Sequence, residues 1–202
     1  MRENRAMTDH DLHLTGDADA DHLLSISPLA LVIGMVLDQQ IPMEWAFRGP
    51  QELMNRLNRG LDAKDLAGMD PDALVKIFST KPALHRYPGS MAARTQACCR
   101  AIVDDFEGDV ASIWTGAADG KDLLKRVKSL PGFGDMKAKI FIALLAKQCG
   151  VVTPGWQVAC EPYGEPGSFR SVADITDLDS LEKVRAYKAS MKKNATPSAV
   201  EP

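Results

Sequence analysis

Two stretches of this chain hold residues whose types and spacing suit chemistry on a polyanion. The first is Leu130-Pro131-Gly132-Phe133-Gly134, which runs into Asp135-Met136-Lys137-Ala138-Lys139. Glycine reaches positive φ without steric penalty and lets another backbone come close. Two glycines around one apolar residue can therefore turn the chain sharply, with Phe133 plugging the space inside the turn. The unpaired N–H groups at the head of the next helix then face outward, where an anion binds them. Lys137 and Lys139 fall in the first turns of that helix. The second stretch is Asp38-Gln39-Gln40, a carboxylate and two amides at the polar end of an apolar segment, with Glu44 and Trp45 close behind. A fixed carboxylate can stabilise a developing cation or take a proton. An exposed aromatic can stack on a base.

The elements that must position these residues are helices. Leu123 to Ser129 reads as a basic amphipathic helix entering the turn, and Asp135 to Leu145 as a more apolar helix leaving it. Ser27-Pro28 opens another, with Ser as N-cap and Pro at the first position. Leu29, Val32, Ile33, Val36 and Leu37 keep helical spacing, and Leu31 and Met35 widen the stripe, so this helix is expected to be buried nearly all round. It ends at Asp38-Gln39-Gln40. Pro42 to Phe47 predicts a short helix, Gly49-Pro50 a break, and Gln51 to Leu57 a further helix. Asp62 and Asp70-Pro71 mark two more helix starts. Residues 81–90 read as a loop rich in proline and aromatics, with His85 and Arg86 as polar features. Ser90 to Phe106 is a long helix ended by Gly108, and Asp179 to Lys193 is the last. Residues 150–169 are rich in Gly and Pro and read as irregular. The acidic stretch 1–20 is expected to be loosely ordered and the tail 194–202 disordered. No strand pattern stands out, so the fold class is all-α.

Composition sets bounds. The 202 residues are 45% apolar and 25% charged, as in globular proteins, and no apolar run approaches the roughly 20 residues of a membrane span. A cytoplasmic protein is expected, with no membrane contact. The net charge of −3 hides an asymmetry: residues 1–21 are acidic, while residues 121–147 carry Lys121, Lys125, Arg126, Lys128, Lys137, Lys139 and Lys147 against two acids. A solvated helix face would also account for such a cluster. Cys98, Cys99, Cys149 and Cys160 lack metal-ligand spacing and read as buried thiols, so neither a metal nor another cofactor is expected.

The hairpin segment resembles that of base-excision DNA glycosylases of the helix-hairpin-helix/GPD superfamily, of the endonuclease III-like kind. Asp38-Gln39-Gln40 is similar to a second superfamily feature, the Gln-containing end of a buried helix beside the active-site cleft. The resemblance spans roughly residues 28–160 and is specific around 36–40 and 125–145. It implies two helical lobes, one of residues 42–146 ending in the hairpin and one joining 21–41 to 150–193. It implies double-stranded DNA as partner, damaged or mismatched, met by a monomer. Pro131, Gly132, Phe133, Gly134, Lys137 and Lys139 would hold the backbone, and Gln40 would fill the hole left by an extruded base.

One part of the pattern is absent. The superfamily's catalytic Asp falls about twenty residues beyond the hairpin's second glycine, but Val152-Thr153-Pro154-Gly155-Trp156-Gln157-Val158 holds no acid. The Schiff-base Lys of bifunctional members falls on Met136, so lyase activity is not expected. A carboxylate would have to come from elsewhere. Asp38 is the first candidate and Glu44 the second, because they flank the Gln segment, with Trp45, Trp156 and Gln157 as candidate base-pocket residues. Three readings stand: a monofunctional DNA glycosylase, a non-catalytic DNA-binding module that kept the hairpin, and a helical interaction protein with no DNA role.

Overall fold

The computed structural model describes residues 11–195. They form eleven α-helices, with no strand among the described residues, which is the expected all-α class. The helices are α1 (Ala18–Ile26), α2 (Pro28–Leu37), α3 (Met43–Leu57), α4 (Ala63–Gly68), α5 (Pro71–Ser79), α6 (Pro88–Phe106), α7 (Ser112–Thr115), α8 (Gly120–Lys128), α9 (Asp135–Gln148), α10 (Trp156–Ala159) and α11 (Leu178–Ala195). Among the described residues no single helix is long and apolar enough to cross a membrane.

The cap chemistry of α2 is the one its sequence predicts. Ser27 Oγ accepts the N–H of Ala30 at 3.2 Å and Pro28 takes the first position. Leu29 to Leu37 are all buried. The chain bends by 116° between α1 and α2, which frees α2 to run through the interior. Glycines set how closely α3 packs on it. A Cβ added to Gly34 would stand 2.7 Å from Cδ1 of Phe47, and one on Gly49 would stand 2.4 Å from Cδ1 of Leu37.

That packing corrects the break expected at Gly49-Pro50. Helix α3 runs unbroken from Met43 to Leu57 with Pro50 inside it. Proline removes one helical hydrogen bond and crowds the preceding turn. Here both Gly49 and Pro50 are buried, and the close contact with Leu37 that Gly49 permits keeps the chain helical through the weak point.

A second correction concerns the acidic N-terminal stretch. From residue 11 onward it is packed. Leu12 and Leu14 are fully buried. The Leu12 N–H donates to Ser25 Oγ at 2.7 Å, and the N–H groups of Leu14 and Thr15 donate to Asp21 Oδ1 at 3.0 and 2.9 Å. Asp21, one of the acids of the N-terminal stretch, is the buried anchor of this segment. Asp17 caps α1 by accepting the Ala20 N–H at 3.0 Å. The expectations for residues 1–10 and 196–202 lie outside the described residues, and α11 continues through Asn194 to Ala195.

The buried apolar side chains form one continuous cluster, from Leu12 to Val184. Four buried free thiols, Cys98, Cys99, Cys149 and Cys160, belong to it. The irregular segment after α9 is tied down by Lys147, whose ammonium donates to Asp174 Oδ1 at 2.6 Å and to the Glu165 carbonyl at 2.8 Å. Asp174 is completed by the N–H groups of Arg170 and Ser171 at 2.8 and 3.1 Å. So anchored, the chain returns as α11 to the head of α3, where Arg185 pairs with Glu44.

The α2–α3 contact sets an expectation for Gly34→Ala. Alanine gains up to about 1 kcal/mol of helix propensity over glycine. Overpacking against a buried ring costs about 1–3 kcal/mol, and Phe47 has no room to move. The substitution should lower the melting temperature by about 2–4 °C, the shift of roughly 1 kcal/mol in a chain of this size. Gly89→Ala, which faces open space in the first turn of α6, should leave it unchanged or raise it.

Candidate nucleic-acid interface

The hairpin is α8, a turn and α9. The turn is closed by the Phe133 N–H donating to the Leu130 carbonyl at 3.1 Å. Pro131 stands at its second position and Gly132 at its third with φ +98°, the residue pattern of a type II turn. Phe133 is buried and its ring lies 5.5 Å from that of Phe141, so it plugs the hairpin as expected. Gly134 differs from expectation. Its φ of −71° and ψ of 173° are open to any residue, and a Cβ there would meet nothing within 4 Å. Its lack of a side chain serves access from outside, not the turn. At the head of α9, Asp135 is held by Lys128 at 2.7 Å and Lys139 at 3.0 Å, and these bonds keep its carboxyl below the usual range. Lys139 is thus tied to a neighbouring carboxylate.

Lys137 is not on the outer face with the turn amides. It points inward and donates to the Val36 carbonyl in the last turn of α2 at 3.2 Å. Burial pulls its ammonium down to about 8, with the nearby Asp38 acting the other way. Sequence held a signal for this: Lys137 is one turn ahead of Phe141 and so in line with the core stripe of α9. Met136, one position earlier, is 65% exposed.

The end of α2 is where the second sequence stretch lies. Asp38 is its C-cap, at the negative pole of the helix dipole. Burial raises the Asp38 carboxyl above the ordinary carboxylate range; Lys188 of α11 and Lys137 of α9 oppose this, and Glu44 adds to it. Glu44 is itself bound by Arg185, whose Nε donates to it at 2.9 Å. Gln39 faces inward. Its amide nitrogen donates to the Val36 carbonyl at 2.8 Å, and its amide oxygen accepts from Arg94 at 2.8 Å. Gln40 faces out, exposed, with φ +56°. The left-handed region costs a residue with a Cβ about 1–2 kcal/mol. Unlike Asn58 and Glu107, the other described non-glycine residues there, Gln40 is not a helix C-cap. Strain held at an exposed polar residue is characteristic of functional turns.

The remaining sequence candidates divide. Trp45 is 48% exposed on the first turn of α3, and its Nε1 donates to the Leu84 carbonyl at 3.2 Å, beside the Asp38–Gln40 turn. Trp156 and Gln157 are elsewhere. A Cβ on Gly120 would stand 2.7 Å from the Trp156 Cα, and the Gly120 N–H donates to the Pro154 carbonyl at 2.8 Å. Gly120 begins α8, so α10 sits at the end of the α8–α9 pair opposite the turn and away from Asp38 and Lys137. The structure does not bring these two candidates together with the others. Sequence reasoning missed Arg94 and Lys188, which arrive from helices far along the chain with no motif to mark them.

A family model of HhH-GPD superfamily base excision DNA repair proteins matches residues 33–199. The chain belongs to this superfamily. Neither a comparison with curated proteins nor one with solved structures returns a match. As an HhH-GPD protein it is a DNA-binding protein of base excision repair, and α8, the turn and α9 are its helix-hairpin-helix.

The two hairpin glycines should separate by experiment. Gly132→Val places a Cβ at positive φ and 3.1 Å from the Arg94 side chain, so it should lower both the melting temperature and DNA affinity. Gly134→Val, at the N-cap position of α9, should lower the melting temperature less than Gly132→Val does. It should weaken binding to all duplexes alike by about tenfold, the loss of one charge-assisted hydrogen bond of about 1.5 kcal/mol. Anisotropy titrations at fixed salt, with melting curves, check both.

Proposed function

We propose that this HhH-GPD protein is a monofunctional DNA glycosylase acting on damaged or mismatched duplex, with Asp38 supplying its catalytic carboxylate. One observation carries the reading: a half-buried carboxylate at the end of α2, facing Lys137 and Lys188, next to an exposed, strained Gln40. Cleavage of an N-glycosidic bond requires the base out of the stack and builds positive charge on the sugar. A fixed negative charge near that sugar, in a site shielded from water, stabilises the transition state more than the ground state. In this reading Gln40 enters the duplex while the hairpin amides hold the backbone. Lys137 is occupied as a cap on α2, which fits hydrolysis without a Schiff base.

The absence of an acid across Val152–Val158 favours a second reading, a DNA-binding module that has lost catalysis. Asp38→Asn distinguishes them. It should lower single-turnover base release by at least about 100-fold, the scale of removing a major charge stabiliser or proton-transfer group, with DNA affinity nearly unchanged. Parent-like turnover in this variant removes Asp38 from the chemistry.

The charges around Asp38 also set a pH dependence. Protonation removes the useful negative charge, so the rate should fall as pH drops through the raised Asp38 value. Lys137 lowers that value, so Lys137→Met should move the acid limb of the pH–rate profile to higher pH. An unmoved limb would show that a different group titrates.

A further inference from the structure

The loop of residues 81–87 contains a side chain that the proposed chemistry does not use. His85 is 2% exposed, yet it bonds the backbone beside two exposed side chains, Gln40 and Tyr87. Its Nδ1 lies 3.0 Å from the Tyr87 N–H, and its Nε2 lies 2.9 Å from the Gln39 carbonyl. A backbone N–H only donates and a carbonyl only accepts, so Nδ1 accepts and Nε2 carries the proton. Both ring nitrogens are committed, each to the backbone of a different surface turn. The Gln39 carbonyl belongs to the peptide unit that leads directly into Gln40, whose left-handed φ needs outside support. Tyr87 is 43% exposed, with the Arg86 guanidinium 5.4 Å from its ring centroid.

We infer that His85 is a positioning residue that holds the strained Gln40 turn in place through its bond to the Gln39 carbonyl, so that Gln40 is presented to DNA preorganised. The inference rests on the reading of Gln40 as the residue that enters the duplex. No other group described here ties the Gln39 carbonyl, and the Arg94 and Met91 contacts hold only the Gln39 side chain. Without His85 the Gln40 backbone would be free to relax out of the left-handed region. Binding to undamaged DNA through the hairpin should then persist while insertion is lost.

The two ring nitrogens can be replaced one at a time. A glutamine amide reaches the place of Nε2 and an asparagine amide the place of Nδ1. His85→Gln should keep the bond to Gln39, and His85→Asn should lose it. The probe is a duplex with a tetrahydrofuran abasic analogue opposite 2-aminopurine, whose fluorescence reports unstacking on binding. Melting curves establish that each variant is folded, and titration of an undamaged duplex reports hairpin binding. The parent should enhance the fluorescence, and Gln40→Ala and His85→Asn should lose most of the enhancement. His85→Gln should retain it, and neither His85 variant should change the affinity for undamaged duplex. If Gln40→Ala loses the enhancement while both His85 variants keep it, the inference is overturned and the role of Gln40 stands. Equal loss in both His85 variants would mean that the ring only fills space, which also overturns it. If Gln40→Ala keeps the full enhancement, the role of Gln40 fails and the inference falls with it.

Discussion

One long-range contact ties the hairpin to the end of the buried helix, the Lys137 ammonium on the last turn of α2. It joins residues 101 positions apart and fixes the hairpin against the end of the buried helix. The carbonyls in the last turn of any helix have no partner within it and carry the dipole's negative end. A cation there satisfies both needs at once. Because Lys137 is the third residue of α9, the same contact fixes how far the hairpin turn stands from Asp38 and Gln40.

The charge arrangement follows from that contact. The end of α2 is already negative, and Asp38 adds a full charge to it with Glu44 nearby. Burial favours the neutral form of Asp38, and Glu44 adds to this. Lys137 and Lys188 hold it towards the charged form from two sides, and Arg185 takes up Glu44. The pair of lysines arrives from α9 and α11, and α11 is brought there by the Lys147–Asp174 ion pair that anchors the segment before it. The irregular stretch after α9 thus serves the site indirectly, although it contributes none of the catalytic candidates that its place in the family pattern would suggest.

Local chemistry was legible in the sequence, and orientation was not. The Ser27-Pro28 start, the all-round burial of α2 and the Phe133 plug follow from caps, periodicity and turn residues alone, and the structure has all three. Gly49-Pro50 misled because helix breaking is a local preference, and here a tight contact with Leu37 outweighs it. Nothing in the composition of an acidic stretch marks Asp21 as buried, yet two backbone N–H groups bind it inside the fold. Lys137 was placed with the phosphate contacts because of its nearness to the turn. Position on a helix face decides direction, and that face is defined only once α2 is in place. Arg94, Lys188 and the hydrogen bond from His85 to Gln39 could not be read at all, since each depends on elements brought together from distant parts of the chain.

Glycosylase activity here requires a superfamily member without an acid at the usual position to cleave a glycosidic bond. The most direct measurement incubates the parent protein with a panel of single-lesion duplexes under single-turnover conditions and resolves the products with and without hot alkali. The account predicts that at least one lesion gives an alkali-labile site, with the strand intact until alkali is added. Saturating binding to every duplex of the panel with no alkali-labile site in any of them would contradict it.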